Sequence, residues 1–404
     1  MKYLILIILA TFAFANECLQ CHANKEAKCQ KDIHFTLQKA ISLTLKAWGV
    51  EDFNHTLQTL PEINTTKKIT EPKDVAIDFI RRKCLRCHLN SLEINPTNNK
   101  CLACHSPHKN SFDSFKAKAT QKKCLQCHNA NFIGTDYLGM FPKDFDESYR
   151  APLQKDGSYP KRLGGIDYHH LSQDIHAKKG LSCISCHKPK QNFKASCLEC
   201  HTPSKKNHPD FHKKISCIAC HSAWQVNSYK SILLRSDVPN YKDFERLTVS
   251  EDIYLEKFLK KALQNPTIEP LMPDFLSNRL YKGLWYKGYA FRRWENFFLV
   301  NYQGKIELAR PLLDFELTYI NDKNQTIIDA QQFGGFVIAK PHTISKKAKS
   351  CKMCHENPLN LNQKDTINYK LLKGKLLQGE MLDKKQIEKL ISKRYKFLRA
   401  KELF

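Results

Sequence analysis

The sequence predicts a mainly α chain with extensive irregular loops and a small antiparallel β insertion, in which bound groups rather than side chains fill much of the interior. Three observations carry this. Sixteen of the 17 cysteines fall in one short repeated motif. Six of the eight copies lie between residues 84 and 221, which leaves too little polypeptide around each copy for an ordinary hydrophobic core. Residues 225–341 hold no copy and instead alternate turn residues with runs of aromatic and branched side chains.

Residues 1–15 come first and set the compartment. Lys2 supplies a positive start, Tyr3 to Phe14 are mainly apolar, and Ala13-Phe14-Ala15 puts small residues where a signal peptidase cuts. The apolar run is shorter than the roughly twenty residues a bilayer requires, so a cleaved signal peptide is expected rather than an anchor. Cleavage near Ala15 leaves a mature, periplasmic chain. Cys18 follows Asn16-Glu17 and not the small residue that a lipoprotein acceptor needs.

The motif is Cys-x-x-Cys-His. Its first four copies are Cys18, Cys21 and His22; Cys84, Cys87 and His88; Cys101, Cys104 and His105; and Cys124, Cys127 and His128. The other four are Cys183, Cys186 and His187; Cys197, Cys200 and His201; Cys217, Cys220 and His221; and Cys351, Cys354 and His355. Two thiols three residues apart on one turn reach both vinyl groups of one porphyrin as thioethers, and the next residue points its imidazole at the iron. Paired cysteines also hold zinc, but zinc does not require histidine at the very next position eight times in eight. Eight covalently bound c-type haems are therefore expected, with His22, His88, His105, His128, His187, His201, His221 and His355 as proximal ligands. The fold becomes a multihaem cytochrome c architecture packed around haems.

Nine histidines lie outside the motifs, one more than eight irons need for a second axial imidazole. His176, His212 and His342 precede the motifs at Cys183, Cys217 and Cys351 by a few residues. His108 follows His105 by three and leans to the same side of a turn. His34 borders the apolar face, Ile33, Leu37, Ile41 and Leu45, of a helix expected from Asp32 to Trp48 and ended by Gly49. His170 and His208 complete the distal candidates, while His55 and His169 read as surface or supporting groups. Cys29 is left over and reads as a small buried hydrophobe, with a reactive thiol as the alternative.

Five segments follow. After the signal peptide, residues 16–83 form a first-haem helical segment and 84–224 a dense six-haem core. Within that core, 129–182 is loop-rich, with Gly134, Gly139, Gly157, Gly164 and Gly165. Residues 225–341 form a haem-free insertion. A helix is expected there over Glu251–Leu263, and strands over Tyr289–Val300, Lys305–Ala309, Phe315–Ile320 and Gln325–Asp329, with turns at 301–304 and 321–324. The insertion reads as a shield over haem faces or as a gating module, in which Arg292, Arg293 and Arg310 contact an anion. Residues 342–404 carry the last motif and a basic amphipathic helix from Asp383; packing on the protein or docking on a membrane surface are both open to it.

The formal charge of +25 at pH 7 has haem propionates as its first partner, and an exported chain meets no nucleic acid. The surplus can steer an acidic redox protein or an oxyanion.

Cys18-Leu-Gln-Cys21-His22 followed by Ile33-His34-Phe35-Thr36 resembles the first haem region of the octahaem tetrathionate reductase and hydroxylamine oxidoreductase group, and the motif count agrees. Asn131 to Gly139 with Asp174-Ile175-His176 before Cys183, and Pro341-His342-Thr343 before Cys351, are similar to stretches of other multihaem cytochromes. The resemblance implies redox chemistry on small sulfur or nitrogen compounds at one haem whose distal side is open, lysine-ligated or modified. The motif-free block 225–341 departs from that group. Two functions stand. One is an electron carrier of anaerobic respiration, exchanging electrons with periplasmic or membrane-bound redox proteins. The other is a reductase of tetrathionate, sulfite or nitrite, and no residue is assigned as catalytic.

Overall fold

In a computed structural model, the described residues are 33–63, 72–85, 121–128, 133–142, 168–188, 193–204, 206, 208, 210–229, 231–247, 252–288, 291–294, 297–350 and 380–381. The signal peptide, the first, third and eighth motifs, Cys29, His108, the greater part of 129–167 and the C-terminal helix lie outside them. No described helix is long and apolar enough to cross a membrane.

The helix expected over 32–48 forms as α1 (Ile33–Thr36) and α2 (Gln38–Ala47), because Leu37 takes a left-handed conformation with φ 48°. The break rephases the apolar stripe: Leu37, Ile41 and Leu45 are buried, while Ile33 is 48% exposed. Gly49, with φ 72°, ends the second piece as expected. Next, α3 (Pro72–Phe79) starts on a proline, whose missing N–H is no loss there, and runs into a π-helical turn, Ile80–Cys84. That turn ends on the first cysteine of the second motif.

Short elements carry the middle of the chain: α4 (Gln121–His128), β1 (Met140–Pro142), β2 (Tyr168–His170), α5 (Ile175–Lys178), α6 (Cys183–Cys186) and α7 (Cys217–His221). Beyond them come β3 (Asn227–Tyr229), β4 (Ser231–Ser236), α8 (Tyr241–Phe244), α9 (Ile253–Gln264), β5 (Leu271–Pro273), β6 (Leu280–Lys282), β7 (Leu284–Lys287), β8 (Phe291–Arg293), β9 (Phe298–Tyr302), β10 (Lys305–Ile320), β11 (Thr326–Ile338) and β12 (Glu380–Met381).

The expected insertion helix is α9, capped by Asp252, whose side chain accepts Leu255 N at 3.1 Å. The sheet differs from the sequence expectation in four ways. It has six strands in the order β12-β9-β10-β4-β7, with β11 also on β10. It is not purely antiparallel, because β4 runs parallel to β10, Ser231 opposite Phe315. The two strands expected over 305–309 and 315–320 are one, bent where the register shifts between Leu312 and Phe315 and Leu313 has φ 51°. Likewise the single strand expected over 289–300 is two, since β8 pairs with β3 and β9 with β10.

The hydrophobic core crosses the expected boundaries at 83/84 and 224/225. Leu45, Trp48, Phe79 and Ile80 from the N-terminal helices share one buried cluster with Leu233, Leu259, Trp285, Tyr286, Phe315 and Leu317 from the insertion. Ion pairs reinforce this join. The three consecutive basic residues ahead of Cys84 each meet a carboxylate: Arg81 with Asp274 at 2.6 Å, Arg82 with Asp78 at 3.1 Å, and Lys83 with Asp252. Arg235 of β4 reaches Asp78 at 3.0 Å. A π turn fans successive side chains differently from an α-turn, and here it anchors the second motif to the insertion.

Candidate haem-binding site

Serine residues place two of the motifs on helical turns. Ser182 and Ser185 form a capping box on α6, and Ser216 Oγ accepts Ala219 N at 3.2 Å at the start of α7. The sixth motif begins with the 3₁₀ turn Cys197–Glu199, and the fourth ends α4. In the fifth and sixth motifs the histidine N–H donates to the first cysteine carbonyl, His187 to Cys183 at 2.8 Å and His201 to Cys197 at 2.9 Å. This one-turn closure brings imidazole and thiol to one side.

The second cysteine of each motif is placed by the same turns. Cys127 lies in the last turn of α4, and Cys186 ends α6. Cys200 N donates to Cys197 O at 3.2 Å, and Cys220 N to Ser216 O at 3.2 Å. The Cys220 carbonyl in turn accepts Lys349 N at 2.8 Å, which joins the seventh motif to the segment before the eighth. Among the described residues no cysteine enters a disulfide. Of the other predicted attachment cysteines, Cys84 ends the π turn. Its partner Cys87 lies outside the described residues, as do Cys18 and Cys21, Cys101 and Cys104, and Cys351 and Cys354.

His128, His187, His201 and His221 each face a second imidazole. Ring centres are 6.2 Å apart for His128 and His34, 6.0 Å for His187 and His342, 6.0 Å for His201 and His176, and 6.3 Å for His221 and His208. Two iron–nitrogen bonds of about 2.0 Å, plus about 1.2 Å from each nitrogen to its ring centre, put two axial imidazoles about 6.4 Å apart. The residues fit a haem iron between each pair.

The outer ring nitrogens are held as axial ligands require. His187 Nδ1 lies 2.7 Å from Phe193 O, His208 Nδ1 3.2 Å from Ser204 O, His221 Nδ1 3.1 Å from Ser345 O, and His176 Nδ1 3.0 Å from Asp174 Oδ1. Each contact fixes the tautomer that leaves Nε2 for metal. Phe193 also packs its ring against His34 at 4.9 Å, so one residue serves the fourth and fifth sites.

Two buried aspartates and the segment 341–350 tie the sites together. Asp136 Oδ1 accepts Gly134 N and Tyr137 N at 2.9 and 2.7 Å, and its Oδ2 accepts His342 N at 2.8 Å. Burial pushes the Asp136 carboxyl up, against the pull of His342 and of these N–H groups. Asp174 caps α5 through His176 N at 2.8 Å and accepts Ile344 N at 2.6 Å. Backbone bonds from Ile175 to Ile344 O, Ala223 to Thr343 O and Ser345 to His221 O complete the clamp. Gly139, with φ 78°, has room for no side chain: a Cβ there falls 2.7 Å from Leu171 O.

Thiols of neighbouring motifs also meet. Cys183 and Cys124 are hydrogen-bonded, as are Cys197 and Cys217, and Lys188 Nζ beside the fifth motif binds Glu199 Oε2 of the sixth at 2.8 Å. Burial pushes the Cys186 thiol up, and Cys200 of the next motif adds to the shift.

Residues 95–132, spanning the third and fourth motifs, match the family model of the doubled CXXCH motif. This motif is typical of multihaem c-type cytochromes. It indicates covalently bound c-type haem and a part in electron transfer. No curated protein and no solved structure matches the chain. His128, inside the matched stretch, is the imidazole that faces His34.

Among the distal candidates, His34, His176, His208 and His342 thus lie opposite motif histidines. Their partners do not follow sequence proximity. His176 precedes the fifth motif yet faces the sixth, and His342 precedes the eighth yet faces the fifth. His170 sits in β2 opposite Met140, and His212 ends the turn Asp210–His212. The motif histidines His22, His88, His105 and His355 lie outside the described residues. His55 has both ring nitrogens engaged, Nδ1 with Thr59 O and Nε2 with Asp52, while His169 packs beside Trp294 at 5.4 Å. Arg310 is partly buried in β10; burial pushes its guanidinium down and Asp136 pulls it up. Arg292 and Arg293 lie on β8. Motif spacing gives no role to Asp136, Asp174 or Phe193. For Asp174 the available signal is an N-cap pattern ahead of Ile175-His176.

Proposed function

We propose that this chain is a periplasmic electron carrier of anaerobic respiration that binds eight c-type haems, with His34, His342, His176 and His208 as the second axial ligands opposite His128, His187, His201 and His221. The facing imidazole pairs, 6.0–6.3 Å between ring centres, carry this reading. At these four sites the thioethers form at Cys124 and Cys127, Cys183 and Cys186, Cys197 and Cys200, and Cys217 and Cys220; the repeated spacing supports the same attachment at Cys18, Cys84, Cys101, Cys351 and their partners. Bound haem supplies a one-electron couple at each centre. With two histidines holding each iron, these four sites keep no position for a substrate, and electrons pass without ligand exchange. The adjoining thiols of Cys124 with Cys183 and Cys197 with Cys217 support short edge-to-edge transfer. His108, His170 and His212 are the candidate second ligands for three of the four remaining irons, and His169 is left for the last. Residues 1–15 support export, and the surplus of positive charge supports an acidic redox protein as partner.

The test is the ferric spin state and mass of the purified holoprotein. Eight added haems and a wholly low-spin spectrum are expected. A high-spin signal that responds to sulfite or nitrite would replace the carrier by the oxyanion reductase. Fewer than eight haems by mass would refute the count.

A further inference from the structure

The four described sites differ in what holds the outer ring nitrogen. At His187, His208 and His221 the acceptor is a neutral backbone carbonyl. His342 Nδ1 stands 3.9 Å from Asp136 Oδ2, beyond hydrogen-bond reach. His176 presents Nδ1 to a carboxylate within reach, Asp174 Oδ1 at 3.0 Å. Asp174 is 2% exposed. It receives three N–H groups, His176 N, His176 Nδ1 and Ile344 N, and so acts wholly as an acceptor. A carboxylate draws an imidazole proton more strongly than a carbonyl does, which makes the opposite nitrogen a stronger donor to metal. Stronger donation favours the ferric over the ferrous state.

From this geometry we infer that Asp174 is a positioning residue that gives the iron between His176 and His201 a lower potential than a neutral acceptor at the same place would give it. The inference rests on the axial pairing proposed above. Its second oxygen holds Ile344, two residues beyond His342, so the same carboxylate registers the ligand of the fifth site against that of the sixth.

The experiment uses the full-length holoprotein and its Asp174→Asn, Asp174→Glu and His176→Ala variants, each checked for haem content by mass. Midpoints are resolved by spectroelectrochemical titration, and low-spin species by electron paramagnetic resonance. In Asp174→Asn one component is expected to move upward with a change in the g-values of one low-spin species. Loss of a charge acting only through space leaves those g-values in place. Asp174→Glu restores the original midpoint. His176→Ala is expected to convert one haem to high spin. Unchanged midpoints and unchanged g-values in Asp174→Asn would overturn the inference about Asp174. Failure of His176→Ala to create a high-spin haem would instead overturn the pairing beneath it.

Discussion

Asp78 shows what single residues contribute to the framework. Its carboxylate accepts Arg82 Nη1 at 3.1 Å, Arg235 Nε at 3.0 Å and Trp285 Nε1 at 2.7 Å, all buried. Burial works against the charge, and the two guanidinium groups overcome it, holding Asp78 below the usual carboxylate range. Replacing it by alanine leaves two buried arginines short of an anion, so Asp78→Ala is expected to lower unfolding stability by about 3–5 kcal/mol in a denaturant titration followed by circular dichroism. The pH dependence has a definite sign. Because the folded value is depressed, the contribution is complete above about 3.9, the unfolded value, and is lost as pH falls through the lower folded value. Asp78→Asn should therefore flatten the acid limb of the stability curve, and an unaltered limb would show that other carboxylates dominate it. Residue-level legibility was uneven for a related reason. Motif histidines announce themselves by spacing, whereas buried pairs such as Asp78 with Arg235 depend on a helix and a strand far apart in sequence.

Among the elements, turns were easier to read than strands. Gln303 and Gly304 take left-handed conformations at the β9–β10 turn, and Asn324 does so before β11, where asparagine and glycine had marked the turns. The continuity of β10 was hidden by Pro311 and by the bend at Leu313, which read as a break but form a bulge inside one strand. The parallel partner β4 was out of reach of local pattern, because α8, α9 and five short strands intervene. Opposite the bend, Gly334 has φ 133°, and a Cβ there falls 2.8 Å from both Leu313 O and Asp314 Cα. Gly334→Ala must add strain and displace backbone. A loss of more than about 1 kcal/mol is expected in thermal melts, and a neutral substitution would mean that β11 does not follow the bulge.

Taken whole, the molecule joins a side-chain core to a set of haem sites. The core was legible as helices and strands but not as a single unit, because nothing in periodicity says that α2 packs on a sheet more than two hundred residues away. Trp48 is the clearest join. It lies 4.9 Å from the rings of Phe315 and Phe333, 5.4 Å from Phe79 and 6.4 Å from Trp285. Trp48→Ala opens a cavity among all four and is expected to cost about 3–5 kcal/mol, with helix and strand signals lost together in one melt. Separate transitions for the two would show that the N-terminal helices and the insertion fold apart.

The strap formed by residues 341–350 has a consequence for biogenesis. A ribosome delivers His187 long before His342, with the entire β-rich block emerging in between. His176 with His201, and His208 with His221, are each completed within a short stretch of nascent chain. On the proposed axial pairing, the order of the motifs along the polypeptide is thus not the order in which the centres close: the fifth waits for the strap, whose arrival also fastens His176 through Asp174 and His221 through Ser345.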